Sequence, residues 1–111
     1  RYYFDGGNVE MRDAGVYVRE QNWEEASVLW KEVYDKKKGK TKMRAAYNLA
    51  VYSEMINDFE AAKAYLDVAS ALSDEGSWEQ QLILAYQFNL EKERQKNQRL
   101  NIQMKRFEPQ K

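Results

Sequence analysis

The chain has 111 residues, 18 Lys plus Arg balanced by 18 Asp plus Glu, and neither cysteine nor histidine. One domain of this length buries roughly two thirds of its unfolded surface, and a single proline with few glycines permits long uninterrupted helices. The missing Cys and His exclude disulfides, thiolate metal sites, a cysteine nucleophile, and the commonest general base and transition-metal ligand, so no enzyme, cofactor or metal is expected.

Residues 1–8, Arg1-Tyr2-Tyr3-Phe4-Asp5-Gly6-Gly7-Asn8, read as a leader. The Gly pair breaks structure and the aromatics need something to pack against, which suggests the ragged end of a preceding domain. Because the chain begins with Arg1 rather than Met, it reads as a processed or excised piece whose signal peptide, if any, lies upstream.

A first helix is expected from about Val9 to Glu20, with Met11, Ala14 and Val18 at i, i+3 and i+7. Asn22 with Glu25 forms a capping box opening a second helix to about Lys37. Its buried stripe is Trp23, Ala26, Trp30 and Val33. Lys36 to Lys38 suit the dipole of its last turn, and Gly39 is placed at its C′ position. A third helix, about Thr41 to Ile56, is apolar on two faces, as in a helix sandwiched between neighbours. One face carries Ala46, Leu49, Ala50 and Ser53, the other Tyr47, Val51 and Met55. Asp58 caps a fourth helix presenting Phe59, Ala62, Leu66 and Ala69, and Asp74-Glu75-Gly76 ends it. Ser77 with Gln80 opens a fifth helix that meets no breaker before Pro109. Thirty residues would span about 45 Å. Its first half is apolar (Trp78, Leu82, Ala85, Tyr86, Phe88), its middle polar all round, and Leu100, Met104 and Phe107 form a last stripe.

Part of the chain occurs twice. Asn22 to Val33 returns 36 residues later as Asp58 to Ala69, with the same order of polar cap, aromatic, acid, Ala, bulky and small apolar residues. A repeat of this length is the sequence sign of a helical solenoid. Residues 43–76 resemble a tetratricopeptide repeat: Leu49-Ala50 stands where that family has Leu-Gly, and Phe59, Ala62, Leu66 and Ala69 fill its second-helix positions. Residues 7–41 match through Ala14, Tyr17, Trp23, Ala26, Trp30 and Val33, but Asp13 stands where Leu is expected and neither repeat ends in the family's Pro. A third first-helix aligns on Leu84-Ala85 with no turn after it, like the cap helix of such arrays. The resemblance implies an all-α domain of two right-handed helical hairpins, about 9–38 and 41–73 within 9–76, followed by a long C-terminal capping helix over 77–107. The aromatic leader, two repeats and charged helix together resemble the C-terminal part of uncharacterised Bacteroidetes envelope lipoproteins. That implies a cell-envelope location, with membrane attachment only through an upstream anchor outside this chain.

The family resemblance implies a non-catalytic scaffold that binds a protein, peptide or partner helix in a groove built by the first helices. Carried over, the groove comprises Arg12, Arg19, Arg44, Tyr47, Asn48, Val51, Glu54, Met55 and Tyr86, with Asn8, Leu82 and Asn89 at its margins. Asn48 matches the Asn that in some members holds a ligand's carboxylate or backbone. The competing reading is that Tyr47, Val51 and Met55 merely pack against the fifth helix. The Lys36–Arg44 segment is purely basic, and clustered cations release counterions on contact with phosphates or nucleic acid. Overall neutrality and the lack of interleaved aromatics favour a solvated loop and make nucleic acid a disfavoured partner. Gly39-Lys40-Thr41 has the ending of a phosphate loop, but Tyr34 stands where its first Gly is required. Leu100, Met104 and Phe107 would seat on a partner groove or a second copy, or else be covered within the chain. A homodimer through the long helix is thus the structural alternative to the groove.

Overall fold

The computed structural model describes the backbone of residues 2–107 and the side chains of residues 2–99. The described residues are all-α: α1 (Val9–Arg19), α2 (Trp23–Lys36), α3 (Gly39–Met55), α4 (Phe59–Leu72) and α5 (Trp78–Phe107). Connections of two to five residues turn each helix back onto its predecessor. The main helix contacts accordingly run α1 to α2, α2 to α3, α3 to α4 and α4 to α5.

The ends of α1 and α3, 36 residues apart, close with the same hydrogen bonds. Where α1 ends, the Asn22 N–H donates to the Tyr17 carbonyl (2.7 Å) and the Gln21 N–H to Val18 (2.9 Å). Where α3 ends, Asp58 donates to Ser53 (2.8 Å) and Asn57 to Glu54 (2.9 Å). This is the Schellman closure, with a left-handed residue at C′. Gln21 (φ 60°) and Asn57 (φ 63°) occupy that place. The residue after each becomes the next cap: Asn22 accepts from the Glu25 N–H (3.3 Å) and Asp58 from the Ala61 N–H (3.1 Å). Ser77 Oγ accepts from the Gln80 N–H (3.1 Å), while the Gln80 side chain reaches back to the Gly76 N–H (2.8 Å).

Gly39 differs from expectation. Lys37 and Lys38 are extended, closing α2, and Gly39 takes its left-handed φ of 62° as the first residue of α3. Two extended lysines separate the helices, so the glycine turns the chain into α3 rather than out of α2.

The core is one cluster centred on α3, nine of whose residues are buried, Asn48 among them. Met11, Ala14 and Val18 of α1, Ala26, Trp30 and Val33 of α2, and Ala62, Leu66 and Ala69 of α4 close on it. α5 contributes Ile83 and Leu90. The α4–α5 seam is laced outside by Gln87 donating to Asp67 (3.0 Å) and by an Arg94–Glu60 ion pair.

Candidate peptide groove

The leader lies across the helices in extended form, against α1, α2, α3 and the start of α5. Asn48 is fully buried in the middle of α3, and its amide grips the Phe4 main chain from both sides. The Phe4 N–H donates to Asn48 Oδ1 (2.7 Å) and Asn48 Nδ2 donates to the Phe4 carbonyl (2.6 Å). A strand alternates its side chains between two faces, and the leader does so. Tyr2 and Phe4 point one way, toward Tyr47 (6.0 and 5.2 Å between ring centroids) and Trp78 (6.4 and 5.9 Å). Tyr3 points the other way, toward Trp23 (5.9 Å) and Trp30 (6.3 Å). Most of these pairs are edge-to-face, the arrangement the ring quadrupole favours.

Two features let the strand come this close. Gly15 sits mid-α1, and a Cβ there would lie 3.2 Å from Cβ of Asp5. Gly7, with φ 124°, leads the chain into α1 beside Arg44, whose guanidinium lies 6.0 Å above the Phe4 ring. Burial, with smaller contributions from Tyr2 and Glu54, pushes the Tyr47 phenol up to about 12. Tyr47 stacks edge-on against Tyr86 (5.4 Å), and the Tyr86 hydroxyl donates to Glu54 (2.9 Å), tying α5 to α3.

Of the residues expected to line the groove, the structure brings together Arg44, Tyr47, Asn48, Glu54 and Tyr86. Val51 is buried and Met55 half-buried in the core, while Arg12 and Arg19 are exposed on α1. The leader's aromatics find the packing the sequence said they need: Phe4 is a core residue, with partners for both its ring and its main chain. The sequence reading omitted Tyr2, Tyr3 and Phe4 as occupants, and Gly15, Trp23, Trp30 and Trp78 as walls. Three consecutive aromatics outside any periodic element were the available signal.

The basic segment is partly engaged within the chain. Lys40 pairs with Glu79 (3.2 Å) and Lys42 lies 4.6 Å above the Tyr34 ring, whereas Lys36, Lys37 and Lys38 are exposed. The Glu79 carboxyl is held below the usual carboxylate range, first by its own backbone N–H in the opening turn of α5 and then by Lys40. Of the proposed helix interface, Leu100, Met104 and Phe107 have side chains outside the described residues. Among the described residues no helix is long and apolar enough to cross a membrane.

Residues 12–92 match the model of a domain family of unknown function, DUF6340. The chain belongs to DUF6340. The matched stretch of this DUF6340 domain takes in most of α1, all of α2, α3 and α4, and the packed half of α5, including Asn48, Tyr47 and Trp78. No curated protein and no solved structure matches the chain.

Proposed function

We propose that this DUF6340 domain is a non-catalytic interaction module of the tetratricopeptide type, whose groove holds an extended aromatic peptide segment. The observation that carries this reading is the two-point grip of Asn48 on the Phe4 main chain. A buried amide that satisfies both an N–H and a C=O reads backbone, not side chain, so it accepts any strand that fits. Selectivity comes from the rings on either side. The hydrogen bonds that recur 36 residues apart at the ends of α1 and α3 support the repeat architecture. The groove's occupant here is the chain's own leader, so a partner segment must displace it.

The test is a titration with a peptide of the leader sequence, residues 2–6. Phe4→Ala in the full chain loosens the leader and frees the groove. The peptide should then bind and change the fluorescence of the groove tryptophans, and Asn48→Ala added to Phe4→Ala should abolish binding. No binding to the Phe4→Ala protein, with its helicity intact, would refute the groove as a binding site.

Self-association through α5 is a second reading, favoured by the apolar side chains that helix leaves uncovered. Anion binding is disfavoured by the internal partners of Lys40, Lys42 and Arg44.

A further inference from the structure

α5 has two apolar faces, and the domain covers only one. Glu79, Ile83 and Leu90 are buried. On the opposite side Leu84 and Phe88 are 49% and 64% exposed, and Ala85 between them is exposed too; Trp78, 58% exposed, borders this face while its ring meets Tyr2 and Phe4 of the leader. Large apolar side chains grouped on one face mark a contact surface. The preceding repeat shows what such a face accepts. Thirty-five positions earlier, the equivalent residues of α3 are Ala46, Leu49, Ala50 and Ser53. All four are buried, on the helix that packs against α4. Gln81, Leu84, Ala85 and Phe88 repeat that pattern on α5, and among the described residues no helix covers it.

We propose that α5 of a second copy covers this face, running antiparallel about a two-fold axis beside Phe88. Each α5 then stands to the other as α4 stands to α3, with Ala85 allowing close approach between Leu84 and Phe88. Charge selects the direction. The turn before α5 carries exposed Asp74 and Glu75, and the far side of Phe88 carries exposed Lys92, Lys96 and Arg99 against exposed Glu91 and Glu93, a basic excess. Along the helix, Arg99 lies about 16 Å beyond Phe88 and Trp78 about 15 Å before it. An antiparallel pair therefore sets the basic stretch of each copy beside the acidic turn of the other, twice by symmetry, whereas a parallel pair opposes like charges. A two-fold contact of this kind closes on itself and stops at the dimer. The inference rests on α5 alone and stands whether or not the groove takes a peptide.

The full chain should sediment at twice 13.2 kDa at tens of micromolar. Phe88→Glu should weaken association about a hundredfold or more and return the mass to 13.2 kDa with unchanged helicity. Because the chain has no cysteine, Phe88→Cys should cross-link oxidatively to itself across the axis. Mixed Glu75→Cys and Arg99→Cys chains should form the unlike disulfide. A monomer at every concentration, a dimer indifferent to Phe88→Glu, or cross-links between two Arg99→Cys chains would each overturn the proposal.

Discussion

Asn48 and the main chain of Phe4 hold one another by two hydrogen bonds of 2.7 and 2.6 Å, across 44 positions of sequence. Both the oxygen and the nitrogen of the Asn48 amide are used, and the leader's buried ring, Phe4, sits at the same point. The side chain therefore serves as a backbone receptor inside a helix.

Replacing Asn48 with Leu leaves the Phe4 N–H and C=O without these partners. Each buried polar group left unmet costs about 1–3 kcal/mol, so the leader should detach rather than stay in place unpaired. The expected result is a faster-exchanging Phe4 amide and a lower denaturant midpoint, with the helices intact. A Phe4 amide still protected in Asn48→Leu would mean the rings alone hold the leader.

Gln21 and Asn57 share one left-handed conformation at equivalent turns, but they are not equally suited to it. Asn tolerates the left-handed region, whereas Gln strains there. Gln21→Gly should stabilise the domain by up to about 1 kcal/mol, and Gln21→Val should destabilise it by about the same or more. Thermal melts of the two variants check this, and equal midpoints would show that the turn has relaxed its strain.

Tyr47 sets the alkaline limit. Its phenol is raised from 10.0 to about 12 by burial, so the folded chain keeps the proton that the unfolded chain releases. The contribution is fully present below pH 10 and is lost as pH climbs toward about 12, on the order of 2–3 kcal/mol. Tyr47→Phe should therefore lose less stability than the wild type across that window. Parallel curves for the two proteins would contradict the assignment.

Glu79 acts at the other end of the scale. Its carboxyl is depressed below the ordinary value of 4.5, so its contribution is present above that pH and lost as pH falls through the folded value. Glu79→Gln should flatten the acid side of the stability profile. Lys40→Ala should flatten it only in part, because the backbone N–H outranks the Lys40 ammonium as the cause. Urea midpoints from neutral to strongly acidic pH separate the two variants.

The helices were legible because their signals are local. Asn22, Asp58 and the Ser77–Gln80 pair act within a turn of themselves, and Trp30, Ala62 and Leu66 announce buried stripes by spacing alone. Gly39 was misplaced for an equally local reason: a left-handed glycine can close one helix or open the next, and the two sites lie two residues apart. The leader was legible only as aromatics in need of a partner. It pairs with no strand among the described residues, so no alternating neighbour or turn marks its path, and what holds it lies on α2, α3 and α5. α5 was read as one apolar set, although periodicity cannot say which side of a doubly apolar helix faces inward. Ile83 and Leu90 won the interior, leaving Leu84 and Phe88 outside and Trp78 against the leader.

The main helix contacts run between sequence neighbours, and a stack linked in this way can fray one unit at a time. Phe4 changes that. It joins residues near the chain's start to Asn48 in the central helix and Trp78 at the head of the last, so neither end can peel away without first releasing the strand. The leader thus acts as a clasp on cooperativity. With it engaged, the domain should melt as one unit; with it loosened, the first hairpin and α5 should come apart at different temperatures.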